Sequence, residues 1–203
     1  MSAATPHRET PRPRPRGAAR RDALLEAVLT IVGEVGADAV THRRVAEVAD
    51  LPLASTTYYF ESKEHLLTAA LELAAERDIA RLGEFAVQPV ADDDPIGLAI
   101  AAVLDPTDET GPAQRGSMIA NYALLLEAAR RPALQAVARR WTEAYLDVLG
   151  RLLTAAGSAE PAADAELLMA AADGLLIEQL TAGTRVDLAP RLRRLATALV
   201  VTP

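Results

Sequence analysis

Leu134, Val137, Trp141, Tyr145, Val148 and Leu152 recur at three- and four-residue steps. Only an α-helix, at 3.6 residues per turn, brings such a set onto one face. The same stripe returns in Leu24, Val28, Ile31, Val32 and Val35, and again in Leu188, Leu192, Leu195 and Leu199. Breakers stand between the stripes: Gly36, Pro52, Pro95, Pro132, Gly157 and Pro161. The pattern predicts an all-α chain of about nine helices, without strands or an internal repeat. Composition agrees. Half of the 203 residues are hydrophobic but only 3% are aromatic, so the core must be made largely of small aliphatic side chains. Alanine and leucine are strong helix formers, whereas aromatic residues favour strands.

Residues 1–19 are rich in Pro and Arg and carry no apolar periodicity, so they are expected to form a disordered basic arm. Either a solvated tail or a DNA-contacting arm fits that composition. Order is expected from about Arg20, and Gly36 should end the first helix. Thr41 suits the N-cap of a short second helix with Val45, Val48 and Ala49 inward. Asp50, Leu51 and Pro52 break the chain, and a third short helix should run from Leu53 to Tyr59. Ser62 then caps a long fourth helix. Further helices are expected over about 96–104, 113–131, 133–156, 162–182 and 188–200. An acidic loop with Asp92, Asp93 and Asp94 fills residues 86–95, and a second loop runs from Asp105 to Pro112.

The net charge of −7 argues at first against a polyanionic partner. Its distribution reverses that argument, because residues 1–65 hold nine basic and nine acidic residues while residues 66–203 carry all of the excess. Local charge governs binding to nucleic acid more than the total does. Without cysteine, disulfides, thiolate metal sites and cysteine nucleophiles are excluded, a composition that fits the cytoplasm. No apolar run reaches the roughly 18 residues of a membrane span. The stretch after Arg20-Arg21 contains Asp22, Glu26 and Glu34, which a signal sequence would not tolerate.

Two short helices joined by a tight turn, preceded by a longer one, make a helix-turn-helix. The first helix of such a pair braces on the DNA backbone, and the second lies in the major groove. Leu53, Ala54, Ser55, Thr56, Thr57 and Tyr59 suit a reading helix: hydroxyls can bond to bases or phosphates, and threonine methyls can touch thymine methyls. The anchors Val45-Ala46-x-x-Ala49, Leu51 and Tyr58-Tyr59-Phe60-Glu61-Ser62-Lys63-Glu64-His65-Leu66-Leu67 resemble the TetR family of one-component bacterial repressors over about residues 20–67. The chain departs from that family's pattern at Asp50-Leu51-Pro52, where Gly-Val-Ser is common, and at Thr57, where a tyrosine is common. The resemblance implies a homodimer with a DNA-binding domain over 20–65, and a larger domain over 66–203 holding an effector pocket and the dimer interface. It also implies phosphate contacts from Thr41, Arg43, Arg44 and Lys63, double-stranded DNA with a palindromic operator as partner, and release by a small hydrophobic effector that moves the fourth helix.

Met118, Tyr122, Trp141, Tyr145, Met169 and Glu178 are larger or polar residues set among small ones, and are the candidates to line the pocket. Trp141 and Tyr145 fit a plain core position equally well. Asn121, Glu127, Asp173 and Gln179 interrupt apolar stretches, as pocket groups or as satisfied contacts between helices. Gly174 in mid-helix points to close packing, and the last two helices are the candidates for a four-helix dimer interface. An enzyme is not expected. All three histidines (His7, His42 and His65) precede residue 66, and no nucleophile-base pairing, metal spacing or phosphate loop is present, so no cofactor is implied. The rival reading is a helical protein-binding module that has lost specific DNA binding, recognisable by retained dimerisation without operator affinity.

Overall fold

A computed structural model describes residues 16–87, 94–104, 112–183 and 186–201. Among the described residues it contains nine α-helices, one turn of 3-10 helix and no strand. The helices are α1 (Arg16–Val35), α2 (His42–Val48), α3 (Leu53–Tyr59), α4 (Lys63–Val87), α5 (Pro95–Val103), α6 (Pro112–Ala128), α7 (Pro132–Ala155), α8 (Pro161–Ala182) and α9 (Ala189–Val201), with the 3-10 turn at Ala37–Ala39.

The punctuation acts through backbone chemistry. Gly36 leaves α1 at φ 90°, and Gly183 ends α8 in the left-handed region at φ 66°. The Thr41 hydroxyl accepts from the Arg44 N–H at 3.2 Å, and the Ser62 hydroxyl accepts from the His65 N–H at 3.1 Å. Asp50 takes φ 51°, a turn conformation for which glycine is better suited. Pro95, Pro132 and Pro161 each open a helix, where a missing N–H costs nothing.

Some local expectations need correction. Helix α1 begins at Arg16, inside the segment assigned to the basic arm, and the remainder of that arm lies outside the described residues. Val35 is on the buried stripe of α1 but is its last residue and is exposed. Val48 also faces solvent. The buried side of α2 is built from Val45 and Ala46, with His42 and Ala49 half-buried, and Val48 lies roughly 110° around the helix from its centre. Helix α6 stops at Ala128, three residues before the expected end. Asp92 and Asp93 lie outside the described residues. Asp94 belongs to α5, as its N-cap.

Two cores hold the molecule. The first joins Leu24, Leu25, Val28, Ile31 and Val32 of α1 with Val45, Phe60, Leu66, Leu67 and Leu71, and continues into Leu124, Leu134 and Trp141. The second packs Leu82, Ile100, Leu149, Leu152, Leu153, Leu168 and Leu192. Helix α1 packs along α6 as well as against α2 and α4, so the N-terminal helices share one apolar core with the body. Removing this aliphatic surface from water stabilises the joint at about 25 cal/mol per Å² buried.

Candidate functional site

The α2–turn–α3 unit packs against α1. Its outward side chains on α3 are Leu53, Ala54, Thr57 and Tyr58, spaced one and four residues apart as one helical face requires. Leu53 is 50% exposed and Tyr58 80%. Thr56 does not belong to this face. It is fully buried, and its hydroxyl donates to the Leu53 carbonyl at 2.8 Å. The expectation of a base contact from Thr56 is therefore withdrawn, because its position faces the core beneath α3. Ser55 is half-buried. Tyr59 is half-buried too, its ring edge-on to Tyr58 with centroids 4.9 Å apart and its hydroxyl close to Gly17 of α1. Tyr58, which the sequence reading passed over, is the tyrosine that projects. The four-residue spacing from Ala54 was the available signal.

Three cations flank this face. Arg43 and Arg44 are exposed on α2, and the Arg43 Nε donates to Glu47 at 2.9 Å. Lys63 is already engaged. Its Nζ donates to the Asp38 carbonyl at 2.9 Å, which ties the start of α4 to the 3-10 turn.

A second feature is a cavity of about 290 Å³ between α1, α4, α6 and α7, closed by single residues of α5 and α8. Four of the six pocket candidates meet there: Met118, Tyr122, Trp141 and Tyr145. Met169 and Glu178 are not among its lining. Met169 packs on the second core and Glu178 faces solvent, so the helical turn carries neither to the cavity. Asn121 does line the cavity. Among the other polar candidates, Glu127 is buried and accepts from Arg131 at 2.6 Å, and Gln179 accepts from the Val186 N–H at 2.9 Å.

The polar centre of the cavity was not foreseen. Ala74, Arg77, Asp78 and Arg81 share the inner face of α4 and all line it. One oxygen of Asp78 accepts from the Tyr145 hydroxyl at 2.6 Å and from the Trp141 indole N–H at 3.1 Å. The other accepts from Arg81 Nε at 3.1 Å. Arg81 also donates to Tyr145 at 2.8 Å and to the Ala102 carbonyl at 3.2 Å. Burial, and then the Asp78 carboxylate, push the Tyr145 phenol well above its usual range. Tyr122 behaves likewise, raised by burial and then by Asp173, to which its hydroxyl donates at 3.0 Å. Burial holds Asp173 above the ordinary carboxylate range, against the lowering effect of that hydrogen bond. On the rim, Arg77 of α4 pairs with Glu26 of α1. Aromatic faces with a hydrogen-bonded carboxylate make a binding chamber, and its wall lacks a nucleophile paired with a base.

Among the described residues, no group of three potential ligands could hold a metal ion, and no helix is long and apolar enough to cross a membrane.

Residues 94–202 match the family described as Tetracyclin repressor-like, C-terminal domain. A stretch of 58 residues is 45% identical to the HTH-type transcriptional repressor KstR of Mycolicibacterium smegmatis, covering 29% of this chain and 28% of that protein. The match therefore spans less than a third of the repressor. Among solved structures, the multidrug binding protein EbrR in complex with ethidium is 31% identical, with 92% of this chain and 99% of that one covered at a TM-score of 0.67. A member of the TetR family from Streptomyces coelicolor is 33% identical over 90% of this chain and 99% of its own, at a TM-score of 0.69. A match over more than half of the chain, joined to full-length likeness to solved members, places this protein in the TetR family of transcriptional regulators.

Proposed function

We propose that this protein is a ligand-responsive repressor. It binds a palindromic operator as a homodimer and is released by a small, largely hydrophobic effector. The observation that carries this reading is the composition of the cavity wall. Glu26 and Leu29 come from α1, which packs beneath the helix-turn-helix, and the rest comes from the body. A ligand seated there touches both parts, and it acts to the extent that it prefers one of their arrangements. A dimer must hold its reading heads about 34–36 Å apart to meet successive half-sites, so a small rotation of α1 and α4 is enough to change affinity.

In this reading α3 enters the major groove with Leu53, Ala54, Thr57 and Tyr58 foremost, and with Ser55 and Tyr59 at its flanks. Thr41, Arg43, Arg44 and Lys63 meet phosphate. The effector contacts Met118, Tyr122, Trp141 and Tyr145. Two copies associate through α8 and α9, whose outer faces leave Leu167, Ile177 and Val201 exposed. Gly174 is consistent with the same seam, because no other helix of its own protomer lies within 4 Å of where its side chain would stand. Such apolar surface on both sides of a helix is expected when a partner covers the outer one.

The chamber and a neighbour support a choice of effector class. EbrR has been solved with ethidium, proflavin and malachite green, all conjugated organic cations. Here Asp78 lies beside Trp141 and Tyr145, and the Arg81 guanidinium already sits 6.0 Å from the Tyr145 ring centre. Aromatic faces of this kind attract cations. Two measurements test the reading. Selection of bound sequences from random duplex DNA at one stated salt concentration should recover a palindrome. Trp141 is the only tryptophan, so malachite green should quench its fluorescence and release the selected DNA at matching concentrations. Recovery of no sequence from folded protein would end the repressor reading. A palindrome unaffected by the dye would end only the choice of effector.

A further inference from the structure

Helix α3 carries no side chain able to read a purine by paired hydrogen bonds. Its seven residues, Leu-Ala-Ser-Thr-Thr-Tyr-Tyr, contain no Arg or Lys for guanine and no Asn or Gln for adenine. Both threonine hydroxyls are taken up by the helix itself: that of Thr57 donates to the Ala54 carbonyl at 3.3 Å and that of Thr56 to Leu53, which leaves the Thr57 methyl as its outward apolar group beside the exposed Tyr58. What α3 offers outward is an apolar ridge of Leu53, Ala54 and the Thr57 methyl, edged by the Tyr58 ring. Exposed arginines stand beside it on α2, which supplies the charge complement of a duplex rather than of an apolar protein surface. The apolar group that an ordinary major groove presents is the C5 methyl of thymine.

We propose that this protein discriminates its operator through thymine methyl groups packed against Leu53, Ala54 and Thr57. Among the described residues, Arg43 and Arg44 of α2 are the exposed arginines beside this ridge. The proposal rests on the DNA-binding reading above and adds the chemistry of its specificity.

The test uses the full chain and the duplex recovered by selection. Each thymine of the half-site is replaced in turn by deoxyuridine, which removes the methyl and leaves every base-pairing group. At one or more positions affinity should fall roughly fourfold per methyl, the effect of withdrawing one methyl-sized apolar group from a contact. Substituting both half-sites together should lower affinity roughly fifteenfold, if the two act independently. Thr57→Ser or Leu53→Ala should abolish the sensitivity at its own thymine while other positions keep theirs, with folding checked by circular dichroism. An operator bound equally well when every thymine is uracil would overturn the proposal and leave the repressor reading standing. So would a site whose discrimination is lost in Arg43→Ala but unchanged in both α3 variants. Failure to select any sequence would overturn both.

Discussion

Helices α1 and α6 cross at Gly33 and Gly116, and the approach is close enough to be tested with one methyl group. A Cβ built on Gly33 would stand 2.3 Å from the Gly116 carbonyl oxygen, 2.9 Å from its carbonyl carbon and 3.2 Å from its Cα. Carbon and carbonyl oxygen rest at about 3.3–3.6 Å, so the two helices must part by roughly 1 Å to admit alanine. The obstacle is backbone, which cannot rotate aside as a side chain would. Overpacking of a fitted interior costs about 1–3 kcal/mol, and a backbone obstacle belongs at the upper end. Alanine recovers about 1 kcal/mol of helix propensity over glycine. Gly33→Ala should therefore destabilise the protein by about 2 kcal/mol. Gly116→Ala is the internal control: nothing lies within 4 Å of its Cβ, so only the propensity gain of about 1 kcal/mol remains. Thermal unfolding at one fixed protein concentration should show Gly33→Ala melting about 4–8 °C lower and Gly116→Ala about 2–4 °C higher than the parent. A Gly33→Ala protein as stable as the parent would refute the reasoning, because α1 could then ride over α6 without loss.

Three further outcomes follow from local geometry. Asp50 holds φ 51°, so Asp50→Gly should relieve the turn and raise stability by up to about 1 kcal/mol in urea unfolding, whereas a loss would mean that the carboxylate has a role of its own. Thr56 is fully buried, so Thr56→Val should leave DNA affinity within about twofold and change stability by less than about 1.5 kcal/mol; a tenfold loss of affinity in a folded variant would put this residue in the groove. Hydrogen bonds from Arg193, and then from the Gly97 N–H, lower the Asp94 carboxyl from 3.8 to about 2. A depressed carboxylate stabilises the fold above its unfolded value and loses that contribution as pH falls through its folded value. The stability difference between the parent and Asp94→Asn should thus be constant above about pH 5 and close between about pH 4 and 2. A gap that persists at pH 2 would separate Asp94 from this effect.

Much of the fold was legible because helix boundaries are written in local chemistry. Thr41, Ser62, Gly36 and the three opening prolines act on their own backbone, so each could be read without knowing its neighbours. Burial was less legible wherever the angle around a short helix decided it. Thr56 and Tyr58 are both plausible groove residues by type, yet two positions along α3 turn one into the core and leave the other in solvent. The cavity shows the same limit. Met118, Tyr122, Trp141 and Tyr145 announced themselves by size among small residues. Met169 and Glu178 met the same criterion and face elsewhere. Asp78 and Arg81 passed unnoticed, because a charged pair on a long helix reads as solvated surface until another helix closes over it.

By itself, then, the sequence determined the helical class, the order of elements and membership of a DNA-binding family. These rest on interactions within a few residues and on a contiguous motif. Only the tertiary structure decided which faces meet: that α1 reaches the cavity through Glu26 and Leu29, and that Trp141 and Tyr145 converge on one carboxylate. Those contacts join residues about 50 to 70 positions apart, and no local periodicity encodes the packing angle that brings them together.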